Sequence, residues 1–117
     1  MVVRTEEREA EVDRLFHALA DRTRRDILRR VCTGEHSVSA LAEPYPVSFA
    51  AVQKHVAVLE EAGLVHKRRH GRERLVRADV DAILHARHLL DELESLWRGR
   101  IDRMSDVLTE PAEGHRP

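Results

Sequence analysis

The sequence predicts a mainly helical fold with one small β-hairpin, and three observations carry that reading. Apolar side chains recur every three or four residues along most of the chain, the period of helices that bury one face. Asp21, Ser37 and Ser48 stand immediately ahead of three such stretches, where a side-chain oxygen can accept from the free N–H groups of a first helical turn. Only the stretch around Val65 and Leu75-Val76, interrupted by His70-Gly71-Arg72, reads as two short strands joined by a turn.

Taken in order, Val12, Leu15, Phe16 and Leu19 define a first helix over roughly residues 6–19. Asp21 caps a second helix with Ile27, Leu28 and Val31 on its apolar face and Gly34 just past its end. Ser37 caps a short third helix carrying Val38, Leu41 and Ala42, which Pro44 and Pro46 close off. Ser48 caps a fourth, Phe49–Ala62, and Gly63 falls where a left-handed residue ends a helix. The hairpin follows. From Asp79 to about Glu110 runs a fifth helix, about 45 Å long at 1.5 Å per residue. Residues 1–110 then form one domain and 111–117, PAEGHRP, a disordered tail. The order α-α-α-α-β-β-α, with a short helix, a turn, a longer helix and a basic ribbon in succession, is that of a winged helix-turn-helix.

Charge is distributed to match. The chain has a net charge of −1, but residues 48–77 alone carry +4 while residues 78–117 carry −4. The basic charge is therefore concentrated on the fourth helix and the hairpin, as a surface that meets a polyanion requires. The single cysteine, Cys32, excludes a disulfide within the chain and is expected to be a small buried hydrophobe. No apolar run approaches a membrane span and the first residues lack a signal-peptide core, which implies a cytoplasmic protein without membrane contact. Phosphate-cradling glycine loops, nucleophile elbows and His-Glu-x-x-His motifs are missing from the sequence, so no enzyme, cofactor or metal is predicted.

On the fourth helix, Val52, Val56 and Leu59 fall on one face and Ala50, Gln53, Lys54 and Ala57 on the other. The second face suits a DNA major groove: Gln can pair with adenine, Lys can reach guanine or phosphate, and Ala allows close approach. Phe49 and His55 lie at the margin and are expected to be partly buried. With Ser48 at the start of that helix, the candidate DNA contacts are completed by Lys67, Arg68, Arg69, Arg72 and Arg74 of the wing, whose cations suit phosphates or a minor groove.

The fifth helix repeats Ile83, Leu90, Trp97 and Met104 every seven residues, flanked by Val80, Leu93, Ile101 and Leu108. That stripe is longer than a domain of this size can cover. It predicts a homodimer through the first and last helices, with Val12, Leu15, Phe16, Leu90, Leu93, Trp97, Ile101 and Met104 at the interface. Such a dimer would set two recognition helices about one turn of DNA apart, on an inverted-repeat operator.

These residues resemble the ArsR/SmtB family of bacterial winged-helix repressors. The resemblance rests on LADRTRRDIL (Leu19–Leu28), SVSALAEPYPVS (Ser37–Ser48) and VQKHVAVLEEAGLV (Val52–Val65) with RRHGRERLV behind it, and covers about residues 12–108. Arg22 stands where many members have Pro. The resemblance implies a homodimer that represses its own operon from a double-stranded DNA operator and releases it when an effector binds. That effector would be a small molecule the sequence does not name. The third helix, VSALAE, lacks the Cys-x-Cys motif of thiolate sensors, and LLDELESLWRGRIDRM (Leu89–Met104) is similar to the branch without metal ligands. Two alternatives stand beside this reading. One is a zinc-like sensor using Asp81, His85, His88 and Glu92, which share one face of the last helix, opposite the apolar stripe. The other is a module whose winged-helix surface binds a protein.

Overall fold

The computed structural model of the chain describes residues 2–114. Along it run α1 (Val2–Leu19), α2 (Arg22–Cys32), β1 (His36–Ser37), α3 (Val38–Ala42), α4 (Phe49–Glu61), β2 (Val65–His70), β3 (Glu73–Ala78) and α5 (Val80–Gly114). The three expected caps are in place. Asp21 accepts from the Arg24 N–H at 3.0 Å, Ser37 from Ala40 at 3.1 Å and Ser48 from Ala51 at 3.1 Å. Each satisfies an N–H that its helix leaves open, a contribution of about 1 kcal/mol.

The strands form an antiparallel sheet in the order β1-β3-β2, so the predicted order α-α-α-α-β-β-α lacks one strand. The missing element is β1, where His36 pairs with Val76 and Ser37 with Leu75. Two residues are too few to show a period of their own; the free edge of β3 makes them a strand. The hairpin closes with His70 opposite Glu73, leaving Gly71-Arg72 as a two-residue loop. Gly71 has φ 62° and no other residue type takes a positive φ among the described residues. A left-handed first position alone is the pattern of a type II′ turn, whose twist suits the flanking strands.

Ile27, Leu41, Val52, Val56, Leu59, Leu64, Val65 and Val76 are completely enclosed, so α2, α3, α4 and the root of the ribbon share one core. Leu15 and Ala18 of α1 join it. Leu15, expected at a dimer interface, is only 3% exposed and faces this core instead, because α1 packs on α2 and α4.

The arginines of α2 hold neighbouring elements. Arg24 donates to the carbonyls of Ala18 and His17, both at 2.9 Å, and Arg25 to that of Leu19 at 2.7 Å, so cations meet the open carbonyls of α1. Arg30 does the same for α3, donating to Leu41 at 2.9 Å and Ala40 at 3.0 Å, and its guanidinium lies 5.7 Å from the centre of the Tyr45 ring. The Tyr45 hydroxyl in turn donates to Asp26. The turn between α3 and α4 is thereby tied to α2 at both the ring and the hydroxyl, and α4 is aimed by that tie.

Two compact units divide the chain, Met1–Ile83 and Leu84–Pro117. The first holds every element through β3 and the start of α5. The second is the remainder of α5, which continues through Gly114 rather than ending near Glu110. Residues 111–114, expected in a disordered tail, are its last turn; 115–117 lie outside the described residues. Asp79 opens the helix by accepting from the N–H groups of Asp81 at 2.9 Å and Ala82 at 3.3 Å.

Candidate nucleic-acid interface

The short α3, the tied turn and α4 form the helix-turn-helix. Val52, Val56 and Leu59 of α4 point into the core. Ala50, Gln53 and Lys54 are exposed on the other side, with Ala57 half-buried beside them. The Ser48 oxygen is occupied by the Ala51 N–H, which leaves its hydroxyl proton free to donate outward. Phe49 was expected to be partly buried but is 46% exposed at the helix start. His55 is half-buried as expected, its Nδ1 3.4 Å from Arg24 Nη1 and 3.9 Å from the Asp21 carboxylate. The Arg24 N–H at the helix start, and then His55, hold the Asp21 carboxyl below its ordinary pKa.

The ribbon has two unlike faces, since side chains alternate along each strand. On one face His66 lies opposite Arg77, Arg68 opposite Leu75 and His70 opposite Glu73. Carboxylates accompany that face. His66 Nε2 is 2.5 Å from Asp79 Oδ2, and Arg68 donates through Nε and Nη2 to the two oxygens of Glu35, both at 2.8 Å. The Arg68 fork lowers the pKa of Glu35 and Glu35 raises that of Arg68; the His66 ring likewise lowers Asp79. The other face begins in the core with Val65 and Val76, continues with Lys67, and ends with Arg69 directly opposite Arg74. Like charges so placed destabilise a ribbon unless an anion lies between them.

The five candidate cations of the wing are therefore not equivalent. Lys67 leans back on Glu60 of α4 at 3.4 Å, and Arg68 is held by Glu35. Arg69, Arg72 and Arg74 are exposed and have no acidic partner at salt-bridge distance among the described residues. Sequence reading missed the role of Glu35 because 33 residues separate it from Arg68; only the arrival of β1 beside β3 brings them together.

On α5, Leu90, Leu93, Trp97, Ile101 and Met104 are all exposed, as are Leu96, Val107 and Leu108. Val12 of α1 is half-buried and Phe16 is exposed. Asp81, His85, His88 and Glu92 are solvent-facing, and among the described residues no three His, Cys, Asp or Glu side chains are gathered to hold a metal ion. Cys32 is exposed at the end of α2, contrary to its expected burial, because Ile27 and Val31 take the inward face there. No described helix is long and apolar enough to cross a membrane.

Comparison with known proteins agrees with this geometry. A helix-turn-helix domain family matches residues 19–68. The HTH-type transcriptional regulator Rv2034 of Mycobacterium tuberculosis is 42% identical over 79 residues, which are 68% of this chain and 74% of that protein. An ArsR-like transcriptional regulator from Rhodococcus has a similar structure, with a TM-score of 0.76 and 32% identity over 86% of this chain and 95% of that one. So does the homodimeric winged helix-turn-helix DNA-binding domain of a Mycobacterium bovis protein, with a TM-score of 0.65 and 29% identity over 80% and 88% of the two chains. With its short α3, buried-and-bare α4 and three-stranded wing, the chain belongs to the ArsR family of winged helix-turn-helix transcriptional regulators.

Proposed function

We propose that this regulator is a cytoplasmic homodimeric repressor that reads an inverted-repeat operator, including one upstream of its own gene. The observation that carries the DNA-reading part is the placement of Arg69 directly opposite Arg74 near the wing tip, a like-charge pairing that a phosphate would relieve. Gln53 and Lys54, framed by Ala50 and Ala57, supply base contacts in the major groove, and Ser48 a phosphate contact at the helix start. Arg72 joins Arg69 and Arg74 on the backbone; Lys67 steadies the wing on α4. Self-association through the exposed apolar stripe of α5, Leu90, Leu93, Trp97, Ile101 and Met104, with Val12 and Phe16 of α1, would pair two such readers. The Mycobacterium bovis relative is homodimeric, which supports self-association. Release by a small-molecule effector belongs to this reading as well, with residues 1–110 acting as one DNA-binding and dimerisation unit.

Footprinting on the DNA upstream of the gene tests it. A protected inverted repeat, with half-sites about one helical turn apart, is expected. Intact dimer without protection there, at roughly physiological salt, would refute autoregulation.

A further inference from the structure

Arg68 presents the same planar fork to Glu35 that it would present to a phosphate. Guanidinium binds carboxylate and phosphate oxygens alike, through two parallel N–H donors. Two of the five N–H groups of Arg68, on Nε and Nη2, are used at 2.8 Å each, and the Glu35 carboxylate offsets the charge that a phosphate would meet. The pair is open to solvent, with Arg68 half exposed and Glu35 a third, so a duplex backbone can compete for it. Arg77 and His70 lie close enough to Glu35 to act on its charge and add to the basic character of this face.

The side on which this happens is the informative part. Arg68, His70 and Arg77 project from the face of the ribbon opposite to that of Arg69 and Arg74. When the bare pair is docked on a backbone, the Arg68 face is turned away and contributes nothing. Binding to random sequence has no such fixed orientation, because phosphates alone drive it, and it can use whichever cations are free.

We propose that Glu35 is a specificity-determining residue: by occupying Arg68, it withholds a cation from non-specific DNA without cost to operator binding. This rests on the DNA-reading function proposed above. Glu35 is an internal stand-in for phosphate, carried on the loop between α2 and β1 and aligned by the pairing of His36-Ser37 with β3.

The test measures affinity for a random-sequence duplex as a function of salt, for the full chain and for Glu35→Gln, Arg68→Ala and the double variant. Glu35→Gln is expected to bind the random duplex more tightly, on the order of fivefold at roughly 0.15 M salt, with a log–log salt slope steeper by about 0.9. Affinity for the footprinted operator should stay within about twofold, so discrimination falls by nearly the same factor. Arg68→Ala alone uncovers the Glu35 carboxylate and should weaken random-duplex binding slightly, and it should cancel the gain when combined with Glu35→Gln. If the bridge merely braces the wing, both single variants weaken binding together, and the proposal is overturned. An unchanged affinity and slope in Glu35→Gln overturns it equally. Failure of the unaltered protein to bind any duplex would instead remove the DNA-reading function on which it rests.

Discussion

In the winged head Ile27, Leu41, Val52, Val56, Leu59 and Val76 are enclosed, whereas along α5 Leu90, Leu93, Trp97, Ile101 and Met104 are 44–61% exposed. Both regions are read from the same kind of helical periodicity, yet among the described residues the stripe of the head is enclosed and that of α5 is open. The head closes because five elements of different direction meet on a common centre. The C-terminal unit is a single helix, and a single helix cannot bury its own stripe. Stability of the head is therefore intrinsic, while that of the helix depends on a surface the lone chain lacks.

The largest expected effect lies in the head. Leu59→Ala empties a fully enclosed site and should lower the unfolding free energy by about 2–5 kcal/mol in urea titrations. A loss of under about 1 kcal/mol would mean that the core collapses around the gap and the contrast is weaker than drawn. On the helix, Trp97→Ala should act on association instead. We expect the self-association constant to fall by tenfold or more in sedimentation equilibrium, as for a central aromatic anchor, with the wing and α4 still folded. A monomer–dimer balance untouched by Trp97→Ala would place the partner of the stripe elsewhere.

A smaller effect belongs to Asp79, which opens α5 and holds His66. Its carboxyl pKa is lowered by the His66 ring first and then by the Ala82 and Asp81 N–H groups. A lowered folded-state value means stability that is present above the ordinary Asp range, near about pH 4, and is lost as pH falls through the folded value. Asp79→Asn should thus melt below the unaltered protein at neutral pH, and the two curves should converge in acid. A gap that persists there would assign the effect to packing.

Much of the head was legible in advance. Side-chain oxygens at Asp21, Ser37 and Ser48 cap helices by local chemistry, and Gly71 turns the hairpin by a local φ, so neither depends on distant partners. The division of α4 into Val52, Val56 and Leu59 against Gln53 and Lys54 was equally local. What escaped was set by tertiary approach. β1 exists only because β3 offers an edge, the status of Arg68 and Lys67 depends on Glu35 and Glu60, and Leu15 turns inward because α2 and α4 receive it. A charge run in the sequence shows how many cations there are; their neighbours decide how many remain free.

Ser37 is at once the last residue of β1, paired with Leu75, and the residue whose oxygen begins α3. The joint between wing and reading helices therefore has no slack. One residue inserted at this point would either shift the strand pairing and reverse the facing of its side chains or pull the cap away from Ala40. Changes in chain length that a surface loop absorbs without harm would here be transmitted to the angle between wing and α3. The spacing of the wing from the reading helices is thus set by chain length at this joint as well as by the packing of the ribbon root and the Lys67–Glu60 pair.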